Sequence, residues 1–324
     1  MSYVEFLTPK DTTGMKGLLV LMVLISHLSA RVSLFSNGLL GILFSACGYL
    51  AVSMFFFLSG YGIYQRYMQS REGYVNGFVK RRIIPYYAMC CVVILIYLVR
   101  DLALTGSTQW IVLLQSFLFG ATIVDMGWYL QAQLLLYILV FLVLRFTGKN
   151  HIAWMAFCLV FYCIGCALAG LGSTWYEAVM CFALGMLFAK QKDAVFGWIR
   201  NKALLKFGAW LALFLVTLWF GNKTVLPEFL RIPVNMLSAM CFDMLLVMAA
   251  GYIRFSNPVS TFLGRYSFEI YTMQGMFLYG MRPVIQNDLM YMAAVTAGTI
   301  LLSLAVHPVF EFTNKLVRKT AKVG

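Results

Sequence analysis

Charge is what this sequence has least of. Only 11% of its 324 residues are Asp, Glu, Lys or Arg, against roughly 25% in an ordinary soluble domain, while 62% are hydrophobic. A soluble globule of this size cannot enclose so much apolar surface, and the apolar runs recur along the whole chain. That excludes a water-facing coil, a collagen-like repeat and a nucleic-acid-binding domain. Long polar stretches, internal repeats and low-complexity linkers are also missing, so the chain reads as one integral-membrane domain, 1–324. The pairing of cysteine with histidine that zinc requires is lacking too. All eight cysteines lie within apolar runs, so neither a metal site nor a disulfide framework is expected. Residues 1–16 set Glu5 and Asp11 against Lys10 and Lys16, unlike the basic n-region of a cleavable signal, and the first span is expected to stay in the mature protein.

What is present is a series of eleven long apolar stretches, near 17–35, 42–64, 84–99, 110–124, 128–146, 152–171, 175–189, 205–221, 232–252, 267–282 and 289–310. A helix needs about 20 residues to cross the hydrocarbon, so 110–124, which holds Gln115 and Gly120, is the weakest. Positive charge decides its fate. If all eleven crossed from a cytoplasmic N-terminus, the Lys and Arg residues would favour the outside. If 110–124 is re-entrant or interfacial, 20 of the 25 fall inside and the remaining 5 outside, in line with the positive-inside bias. The expected fold is therefore an all-α polytopic membrane helical bundle, with about ten transmembrane helices, one short re-entrant or interfacial segment, and both termini cytoplasmic. The inside loops at 65–83 and 190–206 and the C-terminal tail would carry the basic clusters, and the surrounding lipids account for most of that charge.

Ionisable groups inside apolar spans are costly and are functional candidates by default. His27 follows Lys16 by eleven residues. Eleven residues at about 100° each come within about 20° of three full turns, so the two share one helix face about 16 Å apart. This spacing suits a ligand whose anionic end stays at the surface, by Lys16, while its reactive end reaches His27 near mid-membrane. An imidazole there can take a proton from a hydroxyl. The bland alternative is a histidine bonded to a neighbouring helix and a snorkelling lysine.

Other groups are less sharp. The run Phe55-Phe56-Phe57-Leu58-Ser59-Gly60-Tyr61-Gly62 reads as a close helix contact through Ser59, Gly60 and Gly62 in preference to a serine nucleophile. Lys80-Arg81-Arg82-Ile83-Ile84-Pro85-Tyr86 suits phosphate binding and topology equally. Asp125, Trp128 and Tyr129 are interface anchors or the lining of a sugar acceptor site. Asp243 sits in an apolar span where an unpaired carboxylate is expensive. Ser267, Tyr271 and Gln274 form a stripe at i, i+4, i+7, with Glu269 beside it. His151 and His307 show no partner in the sequence.

Taken together, Lys16-Gly17 through His27, Phe56-Phe57-Leu58-Ser59-Gly60-Tyr61, the basic run ending Arg82-Ile83-Ile84-Pro85, Trp128-Tyr129-Leu130 and the late stripe resemble the acyltransferase 3 family of bacterial integral-membrane acyltransferases. The resemblance covers essentially the whole chain. It implies an O-acetyltransferase moving an acyl group, commonly acetyl from acetyl-coenzyme A, to a hydroxyl of a surface carbohydrate or lipid-linked glycan, in the cytoplasmic membrane. It implies His27 as the essential histidine, with Lys16 and Arg82 helping to bind coenzyme A and Lys80 and Arg81 reinforcing them. Acyl-coenzyme A enters as a substrate, and no permanently bound cofactor, metal or nucleic acid is expected. Candidate acceptor or cavity residues are Ser59, Asp125, Trp128, Tyr129, Asp243, Ser267, Glu269, Tyr271 and Gln274.

Three positions depart from the family pattern. Lys16 replaces an arginine and keeps the charge without the bidentate fork. Val79 stands where a second arginine is common, three before Arg82. Gln274 stands where many members have histidine. No fused hydrolase-like domain is expected after the last span. The rival reading is a transporter or flippase of lipid-linked glycans, which gives no reason for Lys16 and His27 to align. A sensor would need a partner domain.

Overall fold

The computed structural model describes residues 7–33, 38–119, 123–221 and 226–323. Among them the chain forms thirteen α-helices and no strand. Eight helical segments are long and apolar enough to cross a membrane, so this is a multi-pass membrane protein. The expected number was ten. The difference lies at 175–189 and 267–282, which form helices of only 11 and 14 residues, Met180–Lys190 and Ser267–Gly280. Their rise of about 16 and 21 Å falls short of a hydrocarbon core about 30 Å thick. A 3-10 turn over Ser173–Trp175 and the buried Glu177 delay the first, and a break at Tyr266 starts the second afresh. The segment 110–124 yields a ten-residue helix, Trp110–Phe119, about 15 Å long and too short to cross, as expected; residues 120–122 lie outside the described residues.

The chain divides into two compact units. The first comprises residues 1–69 and 152–267. It holds α1 (Pro9–Ser29), most of α2 (Gly38–Asn76), α6 (His151–Leu168), α7 (Met180–Lys190), α8 (Lys192–Arg200), α9 (Ala203–Phe220), α10 (Glu228–Ala250) and α11 (Pro258–Arg265). The second comprises residues 70–151 and 268–324. It holds the end of α2, a π turn at Val79–Ile83, α3 (Ile84–Thr105), α4 (Trp110–Phe119), α5 (Trp128–Phe146), α12 (Ser267–Gly280) and α13 (Asp288–Val323).

Two expected loops are largely helical. Over 65–83, α2 continues to Asn76 past a kink at Arg71 (φ 31, ψ −106) and gives way to the π turn. Over 190–206, α8 forms a polar-and-apolar helix, with the Lys206 ammonium 4.3 Å from the centre of the Trp198 ring.

Polar contacts between helices inside the first unit are few and well placed. Ser53 of α2 donates to Asp243 Oδ1 of α10 at 2.9 Å, and Cys181 of α7 lies against the same carboxylate. Tyr49 donates to Ser238 at 3.3 Å, and Asn235 donates to the buried Glu177 at 3.1 Å. In the second unit Cys90, Val93, Ile94 and Tyr97 of α3 pack with Leu130, Met273 and Phe310.

Candidate active site

The placement of Lys16 and His27 begins at Thr8. Its side chain accepts from Asp11 N–H (3.2 Å) and its hydroxyl donates to Asp11 Oδ2 (2.7 Å), while Pro9 supplies the first turn of α1. Thr at the N-cap and Pro at the next position are the residues that start helices well. Asp11 is buried and also accepts from Arg254 (2.6 Å) and Ser256 (3.0 Å) in the segment between α10 and α11. The start of α1 is thus clamped to its neighbour.

Glycine sets how closely α1 approaches α11. A Cβ on Gly14 would strike the Phe255 carbonyl, one on Gly17 the Ser260 carbonyl, and one on Gly264 the Thr13 carbonyl. Small residues at such positions let backbones approach where side chains would hold them apart. Lys16 sits between two of these contacts and is half-buried, as is His27.

The structure moves His27 relative to the expectation. The first span was expected at 17–35, with His27 near its centre; α1 instead runs Pro9–Ser29, so His27 lies in its last turn. Lys16 and His27 remain on one uninterrupted helix and on one face, about 16 Å apart along the axis.

The aromatic run packs α2 onto α7. Phe56 and Phe57 are fully buried, and Phe188 stands 5.6 Å from Phe57 and 5.9 Å from Tyr61, ring centre to ring centre. A Cβ on Gly60 would meet the Phe182 carbonyl and one on Gly185 the Phe57 carbonyl, whereas one on Gly62 would meet nothing within 4 Å. Gly60 is therefore a contact residue and Gly62 is not. Ser59 is half-buried beside Gly60. Asp243 is fully buried, and its Oδ2 has no hydrogen-bond partner among the described residues.

The second unit carries the basic run. Lys80, Arg81 and Arg82 all lie in the π turn leading into α3. The Arg81 guanidinium folds back over Gly77 and donates to the Gly73 carbonyl at 3.2 Å, tying the turn to the end of α2. Lys80 is exposed and Arg82 half-buried, and neither forms an ion pair among the described residues.

Asp125 accepts from Arg100 at 2.6 Å and sits where Gly275 of α12 leaves room for it. Tyr129 lies 6.2 Å from Trp128 and 5.1 Å from Tyr271, again between ring centres. Tyr271 donates to the Met126 carbonyl at 2.9 Å. These sequence-selected residues of the second unit form one polar and aromatic junction between α5, α12 and the segment before α5. Gln274 is fully buried and donates to the Tyr271 carbonyl (2.9 Å), while Ser267 donates to the Gly264 carbonyl (3.0 Å).

His307, without a visible partner in the sequence, has one in the structure: Glu269 Oε1 lies 2.6 Å from its Nδ1. Glu269 is not on the Ser267–Gln274 stripe; two residues along the helix turn it away from Ser267 and toward α13. Glu177 and Arg100, also missed, are polar anchors of the same kind, each visible in the sequence only as a charge at the edge of an apolar run.

No group of three or more His, Cys, Asp or Glu residues among those described could hold a metal ion. Neither curated proteins nor solved structures give a match. A family model, described as an acyltransferase domain, matches residues 11–307, a stretch that includes Lys16, His27, the basic turn and the Glu269–His307 pair. The chain therefore belongs to the acyltransferase 3 family of membrane acyltransferases.

Proposed function

We propose that this acyltransferase moves an acyl group, in the first place acetyl, from acyl-coenzyme A to a hydroxyl of a cell-surface carbohydrate or lipid-linked glycan. It works in the bacterial cytoplasmic membrane with both termini cytoplasmic, and its two units act as one domain, a reading supported by a family match that runs across both. His27 takes the proton of the acceptor hydroxyl as the new C–O bond forms. The thioester C–S bond breaks, and the departing thiolate takes a proton from the imidazolium, so the charges balance. Lys16 holds an anionic part of the donor as a point charge; Lys80 and Arg82, in the other unit, carry positive charge of the kind that phosphates bind. Arg81 is already engaged by Gly73 and serves the turn itself.

The observation that carries the proposal is the single helix α1, fixed at its start by Asp11 and by close glycine contacts, with a cation and an imidazole on one face. A helix anchored in this way holds both groups at a constant separation, which positions a long donor without reorganisation. The test is release of free coenzyme A thiol by the purified protein in lipid nanodiscs with envelope glycan present, comparing acetyl-, butyryl- and palmitoyl-coenzyme A. Thiol release matched by ester formed on the glycan supports the proposal, with the preferred chain length read directly. Thiol release without ester, or no release from any donor, contradicts it.

A further inference from the structure

Beyond the candidate active site, the end of α3 borders an open pocket of about 520 Å³, within the ~300–1,000 Å³ of small-molecule sites. Its wall is polar, built from Asp101, Thr105, Ser107, Thr108 and Gln109, over a floor of Val112 and Ile123. All belong to the second unit, and none has a part in the chemistry proposed above.

The wall is held in shape by its own chain. α3 ends at Thr105, Gly106 turns left-handed at φ +68, and its N–H donates to the Leu102 carbonyl at 3.0 Å. The Thr105 hydroxyl lies 2.8 Å from the carbonyls of both Asp101 and Ser107. Arg100 fixes the carboxylate: two of its nitrogens reach Asp101 Oδ1 at 2.9 and 2.7 Å, and its other arm reaches Asp125 at 2.6 Å. Two carboxylates share one guanidinium, so the group keeps one net negative charge. The Thr108 hydroxyl has no hydrogen-bond partner among the described residues.

These groups select a ligand class. Among the described residues no cation lines the pocket, and Arg100 is shared between two carboxylates, so a phosphate or other anion would meet net negative charge. One carboxylate among hydroxyls and an amide is too little charge to coordinate a metal ion. Hydroxyls and amides both donate and accept, and a fixed carboxylate accepts strongly; their complement is an uncharged molecule bearing several hydroxyls. The neighbouring α4 turns Trp110, Ile111, Leu114 and Leu118 outward, all at least 60% exposed, while Leu113 and Ser116 are buried. An apolar outer face on a helix about 15 Å long suits contact with lipid without a full crossing, so the pocket beside it would be within reach of a lipid-linked headgroup.

We propose that this pocket binds an uncharged, hydroxyl-rich glycosyl unit. The proposal rests on the reading of a glycan acceptor and assigns a binding site for it. The test uses the full chain in lipid nanodiscs and saturation-transfer NMR with methyl β-D-glucopyranoside, methyl β-D-galactopyranoside and methyl N-acetyl-β-D-glucosaminide as free probes. In a second arm, monoglucosyl diacylglycerol in the nanodisc competes with them. Wild type is expected to bind at least one glycoside. Thr108→Trp, which fills the pocket, and Ser107→Ala with Gln109→Ala, which removes donors without adding bulk, are each expected to weaken it at least tenfold at unchanged thermal stability. Competition by the glycolipid marks a lipid-linked source, and binding without competition a free glycan. No binding of any probe by wild type, or equal binding by both variants, overturns the proposal. Ester formation that persists without glycoside binding counts against this pocket alone, and glycoside binding without ester on glycan counts against the acceptor reading alone.

Discussion

Glu269 Oε1 and His307 Nδ1 stand 2.6 Å apart, joining α12 to α13 across the interior of the second unit. The carboxylate side chain is 5% exposed and the imidazole 31%, so the carboxylate depends on this partner far more than the reverse. Removing one member of a buried pair costs more than the pair contributes, because the other is left uncompensated. His307→Ala, which strands the buried carboxylate, is expected to lower unfolding stability by about 2–4 kcal/mol, and Glu269→Ala, which leaves a partly exposed imidazole, by about 1–2 kcal/mol. The double variant should lose less than the sum, by about 1–3 kcal/mol. Thermal unfolding of the purified protein in detergent checks this, and strictly additive losses would show that the two are not coupled.

Gly60 and Gly62 offer a matched contrast on one helix. A methyl on Gly60 meets the backbone of Phe182, which cannot rotate away, whereas a methyl on Gly62 meets nothing within 4 Å. Gly60→Ala should destabilise by about 2 kcal/mol or more. Gly62→Ala should be neutral or stabilising by up to about 1 kcal/mol, since alanine is the better helix former. The same unfolding measurement decides, and equal behaviour of the two would contradict the α2–α7 packing.

Arg81 separates structural from ligand-binding charge within the basic turn. One arm of its guanidinium donates to the Gly73 carbonyl and the group lies over Gly77, so Arg81→Ala should reduce stability by about 1–2 kcal/mol and leave donor affinity within about twofold. Lys80→Ala and Arg82→Ala should do the opposite, each weakening donor binding about three- to tenfold, more at low salt than at high. Binding of acetyl-coenzyme A by calorimetry at two ionic strengths checks the division.

Much of the fold was legible because apolar length and positive charge are strong signals. The short 110–124 segment and seven of the long spans were read near their places, and the helical class followed directly. α1 starts earlier for a physical reason: Lys10, Asp11 and Lys16 interrupt the apolar run, yet Thr8, Pro9 and Asp11 form a helix start whose Asp11 carboxylate is buried against Arg254 and Ser256. α7 and α12 looked long enough to cross because hydropathy does not register where the backbone turns. In the site, the Lys16–His27 register could be read because both lie on one helix. The Glu269–His307, Ser53–Asp243 and Arg100–Asp125 pairs could not, since each joins residues at least 25 apart, and only packing brings them together.

Lys16 provides a graded test. A point charge suffices to hold a phosphate, so Lys16→Arg should retain at least half of the transfer rate. Lys16→Ala should raise the KM for acyl-coenzyme A about tenfold, a loss of about 1.4 kcal/mol, with a smaller change in kcat. A fall confined to kcat would place Lys16 at the reacting centre and not at the donor's anionic end.

If His27 is the general base, transfer stops without its imidazole. The most direct measurement is incorporation of labelled acetate into base-labile esters of the cell envelope, in cells producing wild type or His27→Ala at equal membrane levels. Wild type should give a robust signal and the variant a fall of at least a hundredfold, in keeping with loss of a general base. Equal ester formation by the two would contradict it.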